Sequence, residues 1–432
     1  MRIKSDSLCF SARYVRALYE IGDKLLVVTG LPGGGKTKTV MNLLSHLFKS
    51  TKVIYAAPTR SLRDWVAKTF DGQSLTSRAE ACIHELEHPS ALEYLKFIVE
   101  VCSNCEHKCI SEISKLFSND KGLFCTTHHM LYIVASQSPS VFKRSIVVID
   151  EAECWLDLFT VFAREEEFRE LKARASGKAK AMLRRLEKSL IRNRAGLLFF
   201  RPAVPRSRLL IFVSATLPEG LLYLFPIDDG GEGGYTIHRV VLRSEMKDDF
   251  YVNYAILRHD DESWKPRMLR LILQLYDEGK SVGIASRNYR LSEYLTSELR
   301  SMGVEVYSDV LGRRPDFNLN GRFIVLWTTR GKWYRGLSLP DTDAIIATYQ
   351  SPMDFNQSAL IDEIFDNEIP YFRLMNDCVN TQSYFRSNRI RSKRHEVYLL
   401  DVRAWRALRE SLSHFSMTDW FDKVRKPTPF SL

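Results

Sequence analysis

Residues 30–37 read GLPGGGKT, a G-x-x-x-x-G-K-T spacing that starts at Gly30 and ends at Thr37. Glycines at Gly30, Gly33, Gly34 and Gly35 let backbone N–H groups close around phosphate oxygens. Lys36 is spaced to reach the β- and γ-phosphates, Thr37 to ligate Mg²⁺ through its hydroxyl, and Lys38 lies beside them. A second group is Asp150-Glu151, at the end of SIVVIDEAECW. Asp150 suits a Mg²⁺ ligand, and Glu151 suits a base that orients or deprotonates an attacking water. Together these types describe hydrolysis of a nucleoside triphosphate.

The elements that position them are legible nearby. Leu25–Val28 is an apolar run ahead of the glycines, and Val40, Leu43, Leu44, Leu47 and Phe48 recur at helical spacing after them. Strand, glycine loop and helix is the context that confirms a phosphate-binding loop, and the helix N-terminus adds a positive dipole end. Ile146–Ile149 reads as a buried parallel strand with Asp150-Glu151 at its carboxyl edge, where ligands bind in such sheets.

Three cysteines fall within EVCSNCEHKCISE. Cys82, Cys102, Cys105 and Cys109 are spaced C-x19-C-x2-C-x3-C, and four thiolates suffice for zinc or an iron–sulfur cluster. His84, His88 and His107 are further zinc candidates, and simple packing stays open as well. Cys125, in GLFCTTHHML, reads as a core cysteine that could stand in for Cys82 or Cys109 as a fourth ligand.

The composition is that of a globular protein, with 432 residues, 45% hydrophobic and 26% charged, long enough for two or three domains. No apolar run approaches the ~20 residues of a membrane span, and the N-terminus lacks a signal-peptide pattern. An intracellular, reducing setting is expected, which argues against a disulfide framework for the 8 cysteines. A net charge of +10 favours a polyanionic partner.

Further segments fall in a fixed order: APTR at 57–60, SAT at 214–216, SVGIASRN at 281–288, TTRGKWYRGLSLP at 328–340 and QSYFRSNR at 382–389. Here the chain resembles the superfamily-2 helicases over nearly its whole length. GLPGGGKT is similar to motif I, APTR to Ia, DEAE to II, SAT to III, RGLSLP (with Gly336) to V, and Gln382-x3-Arg386-x2-Arg389 to VI. The resemblance implies an α/β fold of two RecA-like parallel-sheet lobes with ATP between them, and Arg386 and Arg389 acting as arginine fingers on cleft closure. It also implies nucleic-acid contacts by Thr59, Arg60, Thr126 and Thr127 in the first lobe and by Ser286, Arg287 and Thr328 in the second. The chain departs from the pattern at Phe385, where motif VI has glycine, and at Ser338, where motif V often has aspartate. It has no glutamine ahead of motif I, so Tyr14 or Arg13 is the candidate to stack on the base.

The cysteine-rich segment resembles the [4Fe–4S] insertion of XPD-type helicases in place, size and C-x2-C pair, though not in the Cys109 spacing. Residues 158–200 occupy the place of the XPD arch and read as a helical pair broken near Ser176-Gly177. Residues 178–194 hold seven positive charges and one acid, a candidate strand-guiding surface. The expected domains are a first lobe at 1–228 with insertions at 75–125 and 158–200, a linker at 229–236, and a second lobe with a C-terminal helix at 237–432. The resulting reading is a monomeric ATP- and Mg²⁺-dependent DNA helicase acting on single-stranded or forked DNA, with a 5′ to 3′ polarity implied by the resemblance. An RNA helicase or remodeller with a zinc-binding insertion is the alternative, and a nucleic-acid-binding protein with a degenerate ATPase is a third.

Overall fold

A computed structural model describes residues 10–30, 35–76, 115–158, 160–187, 190–193, 196–200, 204–215, 235–242, 250–255, 264–286, 289–309, 321–328, 342–349, 380–384, 395–414 and 424–430, with isolated positions between them. Two seven-stranded sheets, parallel in every pairing, form the centres of two lobes.

The first lobe carries strands β1 (Lys24–Gly30), β2 (Lys52–Ala57), β3 (Gln73–Ser74), β4 (Gly122–Thr127) and β5 (Ser145–Asp150). An insertion then contributes β6 (Thr160–Ala163), β7 (Leu190–Asn193) and β8 (Gly196–Phe200), before β9 (Leu209–Ser214) and β10 (Thr236–Leu242) return to the sheet. The order is β10-β1-β9-β5-β2-β4-β3. Strands β2, β5 and β9 are buried at every residue, as expected of apolar parallel strands covered on both faces. Helices α1 (Ala12–Ile21), α2 (Lys36–Leu44) and α3 (Arg60–Thr69) follow the local signals of the sequence. The Ser11 hydroxyl caps α1 by accepting from the Tyr14 N–H, and the Thr59 hydroxyl caps α3 by accepting from the Leu62 N–H.

Gly30 has a structural reason of its own. A Cβ there would lie 2.7 Å from the Leu242 carbonyl oxygen on the paired strand β10. Gly30→Ala is therefore expected to push β10 away and cost about 1–3 kcal/mol, seen as a lower melting temperature in calorimetry.

The second lobe is built on β11 (Phe250–Tyr254), β12 (Val282–Ser286), β13 (Val306–Ser308), β14 (Ile324–Thr328), β15 (Ala344–Ala347), β16 (His395–Leu399) and β17 (Val424–Pro429). Their order is β13-β14-β12-β15-β16-β11-β17.

Several expected boundaries are corrected. Thr236–Leu242 pairs with β1, so the first lobe runs through 242 and the linker does not end at 236. Gly122–Thr127 is a strand of the first sheet paired with β2, so the cysteine-rich insertion ends before it rather than at 125. The 158–200 insertion is not helical throughout: its helices, Glu165–Arg174 and Gly177–Glu187, accompany an antiparallel sheet in the order β6-β8-β7. Lys172 Nζ bonds Glu187 Oε1 at 2.7 Å across the two helices. The tail holds, beyond helix Val402–His414, the edge strand β17, where Pro427 and Pro429 are tolerated because the outer side needs no ladder donors.

The two insertions touch each other. Arg174 reaches Glu100 at 3.2 Å and Lys96 approaches Glu167 at 3.8 Å. Both pairs are exposed, and such pairs contribute about 0–1 kcal/mol each. At the root of the first insertion the buried Arg63 guanidinium bonds the Leu75 carbonyl at 3.0 Å and Glu80 at 2.8 Å, tying that segment to α3. Among the described residues no helix is long and apolar enough to cross a membrane.

Candidate active site

The carboxyl ends of β1 and β5 are separated in the sheet only by β9, so Gly30 and Asp150-Glu151 stand at the same edge. Gly35 precedes α2 in a left-handed turn, a backbone state open to glycine. Lys36 starts the helix, and its ammonium donates to the Gly30 carbonyl at 3.3 Å. The Thr37 hydroxyl donates to Asp150 Oδ2 at 2.8 Å. The Lys38 side chain is exposed on the same turn.

Asp150 is buried at the tip of β5. Its Oδ2 also accepts the Tyr55 hydroxyl at 2.7 Å, and its Oδ1 accepts the Glu151 N–H at 3.1 Å. Burial pushes the Asp150 carboxyl up to about 6 and the Glu151 charge adds to that, while the Tyr55 and Thr37 hydrogen bonds and the Lys36 charge oppose it. Tyr55 is held well above its ordinary value by burial first and by Asp150 second, so it remains a donor. Glu151 has a positive φ, an uncommon backbone state for a residue with a side chain. Such strain at a strand tip is one way a site fixes a reactive group.

The sequence points to Asp150 and Glu151, and the structure adds Glu153. This residue lies in a 3-10 helix, Ala152–Leu158, and is 2% exposed. Ser214, at the end of β9, donates to Glu153 Oε2 at 2.5 Å. Gln382, from the second lobe, donates to Glu153 Oε1 at 2.6 Å and lies 3.3 Å from Glu151 Oε2. Burial first, and the neighbouring Glu151 charge second, push Glu153 up to about 8. Three segments far apart in sequence thus meet at one buried carboxyl group. The only sequence signal for it is an acid inside the otherwise largely apolar run Ala152–Leu158.

Other expected site residues divide into those placed and those beyond description. Gly33, Gly34, Arg287, Gly336, Ser338, Phe385, Arg386 and Arg389 lie outside the described residues. So do Cys82, Cys102, Cys105 and Cys109, together with His84, His88 and His107. Cys125 sits in β4, buried, with burial pushing its thiol up to about 12, as fits a core cysteine. Thr59 and Thr127 act as helix caps, the latter accepting from the Met130 N–H at 3.5 Å. Arg60 is exposed and 3.8 Å from Glu80. Thr126, Ser286 and Thr328 are buried, and the Thr328 hydroxyl bonds Asp309 at 3.3 Å. Tyr14 bonds His238 Nδ1 at 3.1 Å through its hydroxyl, while Arg13 is exposed one residue before it.

Thr37 and Asp150 form a hydroxyl–carboxylate pair whose hard oxygen donors suit Mg²⁺. Among the described residues no cluster of His, Cys, Asp and Glu is assembled to hold another metal.

Two parallel α/β lobes, a paired Thr37–Asp150 at the start of α2 and a second-lobe glutamine beside the acids make a site whose chemistry suits hydrolysis of a nucleoside triphosphate. Residues 12–222, nearly all of the first lobe, match the family model described as DEAD/DEAH box helicase. No curated protein matches the sequence significantly. Among solved structures, Xpd4 of S. tokodaii is similar with a TM-score of 0.55 and 16% identity, covering 97% of this chain and 98% of that one. The DEAD-box helicase Mss116, bound to ssRNA and UDP-BeF, gives a TM-score of 0.51 at 13% identity over 97% and 74% of the two chains. The E. coli DExH-box NTPase HrpB gives 0.50 at 13% identity, covering 94% of this chain and 43% of that one. At these identities the likeness is one of fold.

Proposed function

We propose that the protein is an ATP- and Mg²⁺-dependent DNA helicase that moves on single-stranded DNA and separates forked duplexes. The observation that carries this reading is the hydrogen-bonded chain from Thr37 through Asp150 to the Glu151–Gln382–Glu153–Ser214 group, which joins the nucleotide loop to the second lobe. In this reading Lys36 neutralises the β- and γ-phosphates, and Thr37 and Asp150 hold the Mg²⁺, which polarises the phosphate oxygens when bound. Glu151 orients the attacking water and takes its proton. Gln382 reports the state of that carboxylate to the second lobe through Glu153, and Arg386 and Arg389 are the arginines brought to the γ-phosphate by closure.

Nucleic-acid contact then rests on Thr59, Arg60, Thr127 and Arg287 among the residues expected from the sequence. The basic 178–194 segment guides the strand. The ion pairs between the two insertions favour a common surface beside the duplex. Cys82, Cys102, Cys105 and Cys109 are assigned to a [4Fe–4S] cluster, with zinc as the alternative. The DNA assignment leans on the XPD-like order of insertions and on the fold likeness to Xpd4 along nearly the whole of both chains.

The test is ATP turnover with and without single-stranded DNA, with RNA as competitor, alongside unwinding of a forked duplex. DNA-stimulated turnover that RNA does not match supports the proposal. Stimulation by RNA alone overturns the DNA assignment and leaves the ATPase standing. Metal content is a separate arm. Protein purified without oxygen is expected to contain near-stoichiometric iron and acid-labile sulfide, lost in Cys105→Ser, whereas zinc without iron would remove the cluster assignment.

A further inference from the structure

We infer that Tyr55 is a positioning residue for the carboxylate of Asp150, setting it for the divalent cation of the nucleotide. The inference rests on the reading of Thr37 and Asp150 given above. Tyr55 lies in the middle of β2, opposite Val148 of β5 and Cys125 of β4, and is completely buried. It belongs to the same apolar cluster as Val40, Met41 and Leu44 of α2, so phenylalanine would satisfy its packing. A buried hydroxyl in such a layer is costly unless bonded. Here it donates to Asp150 Oδ2 at 2.7 Å.

The other donors to Asp150 show why this bond matters. Thr37 donates to the same Oδ2 at 2.8 Å, but it belongs to the first turn after the glycine loop and must rearrange with the nucleotide. The Glu151 N–H serves Oδ1 at 3.1 Å and belongs to the adjacent, strained peptide. Tyr55 alone among these donors stands on a rigid central strand outside the loops that touch the ligand. Its bond comes from the strand rather than from those loops, and it fixes the same Oδ2 that Thr37 approaches from the nucleotide side. Because β2 runs directly into Pro58-Thr59-Arg60, the same bond links the cation carboxylate to the strand that precedes the expected nucleic-acid contacts.

The experiment uses the full chain and a fluorescent N-methylanthraniloyl ADP, titrated in EDTA and then with increasing Mg²⁺. Tyr55→Phe is expected to bind ADP in EDTA like the wild type, because the glycine loop and Lys36 are intact. The gain in affinity on adding Mg²⁺ is expected to fall about 10-fold, the scale of losing one hydrogen bond to a charged acceptor. Val40→Ala loosens the same layer and keeps the hydroxyl, so its Mg²⁺ dependence is expected to match the wild type. Equal Mg²⁺ dependence in wild type and Tyr55→Phe overturns the inference, as does an equal loss in Val40→Ala. If the wild type shows no Mg²⁺-dependent gain while Lys36→Ala still abolishes ADP binding, the cation assignment of Thr37 and Asp150 fails, and the inference with it. If Lys36→Ala binds ADP normally, the nucleotide site itself is misassigned.

Discussion

Glu151→Gln is expected to lower kcat for ATP hydrolysis by about 10²–10⁴-fold while nucleotide affinity stays within a few-fold of the wild type. The replacement preserves shape and removes only the carboxylate that takes the proton. Glu151 is at the end of β5, with its N–H on Asp150 and its Oε2 3.3 Å from the Gln382 amide nitrogen, so it makes no bond that glutamine cannot approximate. Lys36→Ala gives the contrasting result. There the loss includes nucleotide binding, because the ammonium that neutralises the phosphates is gone. Measuring kcat together with equilibrium binding of a fluorescent nucleotide separates the two variants. Normal turnover in Glu151→Gln would remove the base from this position.

Glu153 carries the second large effect. Glu153→Ala removes the acceptor of both Ser214 and Gln382. Two buried polar groups are left without it, at about 1–3 kcal/mol each. Nucleic-acid-stimulated turnover is expected to fall about 10–100-fold, with nucleotide binding in EDTA unchanged, since the glycine loop is not involved. Glu153→Gln keeps a neutral hydrogen-bonding group and serves as the rescue. The pH dependence follows from the same burial. Glu153 rises from an ordinary 4.5 to about 8 in the fold, so the folded protein binds that proton more tightly than the unfolded chain does. Its contribution to stability is complete below about 4.5 and is lost as pH rises through about 8. The melting temperature of the wild type is expected to decline across that window, with Glu153→Gln flatter and more stable at the alkaline end. Parallel curves for the two proteins would show that Glu153 is not the titrating group.

Much of this architecture was legible from residue order. A glycine loop between an apolar run and an amphipathic helix has few other meanings, and Ile146–Ile149 ahead of two acids could only be a covered parallel strand. Thr59 and Thr127 precede helical runs, a place that suits a threonine cap as well as a phosphate contact. Ser286 and Thr328 show a related effect. A hydroxyl at a strand end looks exposed in sequence, and whether Thr328 turns toward solvent or toward Asp309 depends on how the neighbouring strand is placed.

What the sequence determined by itself was local: which segments are buried strands, where the nucleotide loop lies, and which acids stand at a strand tip. Those features follow from periodicity and from the conformations open to glycine, which act over a few residues. Tertiary structure alone decided which sheet Thr236–Leu242 joins, because the half-buried pattern of an edge strand suits either lobe. It alone brought Tyr55 to Asp150 and gathered Ser214, Gln382 and Glu151 around Glu153. Those contacts span up to 231 positions of chain, and a buried polar group finds its partner only after the sheets have formed.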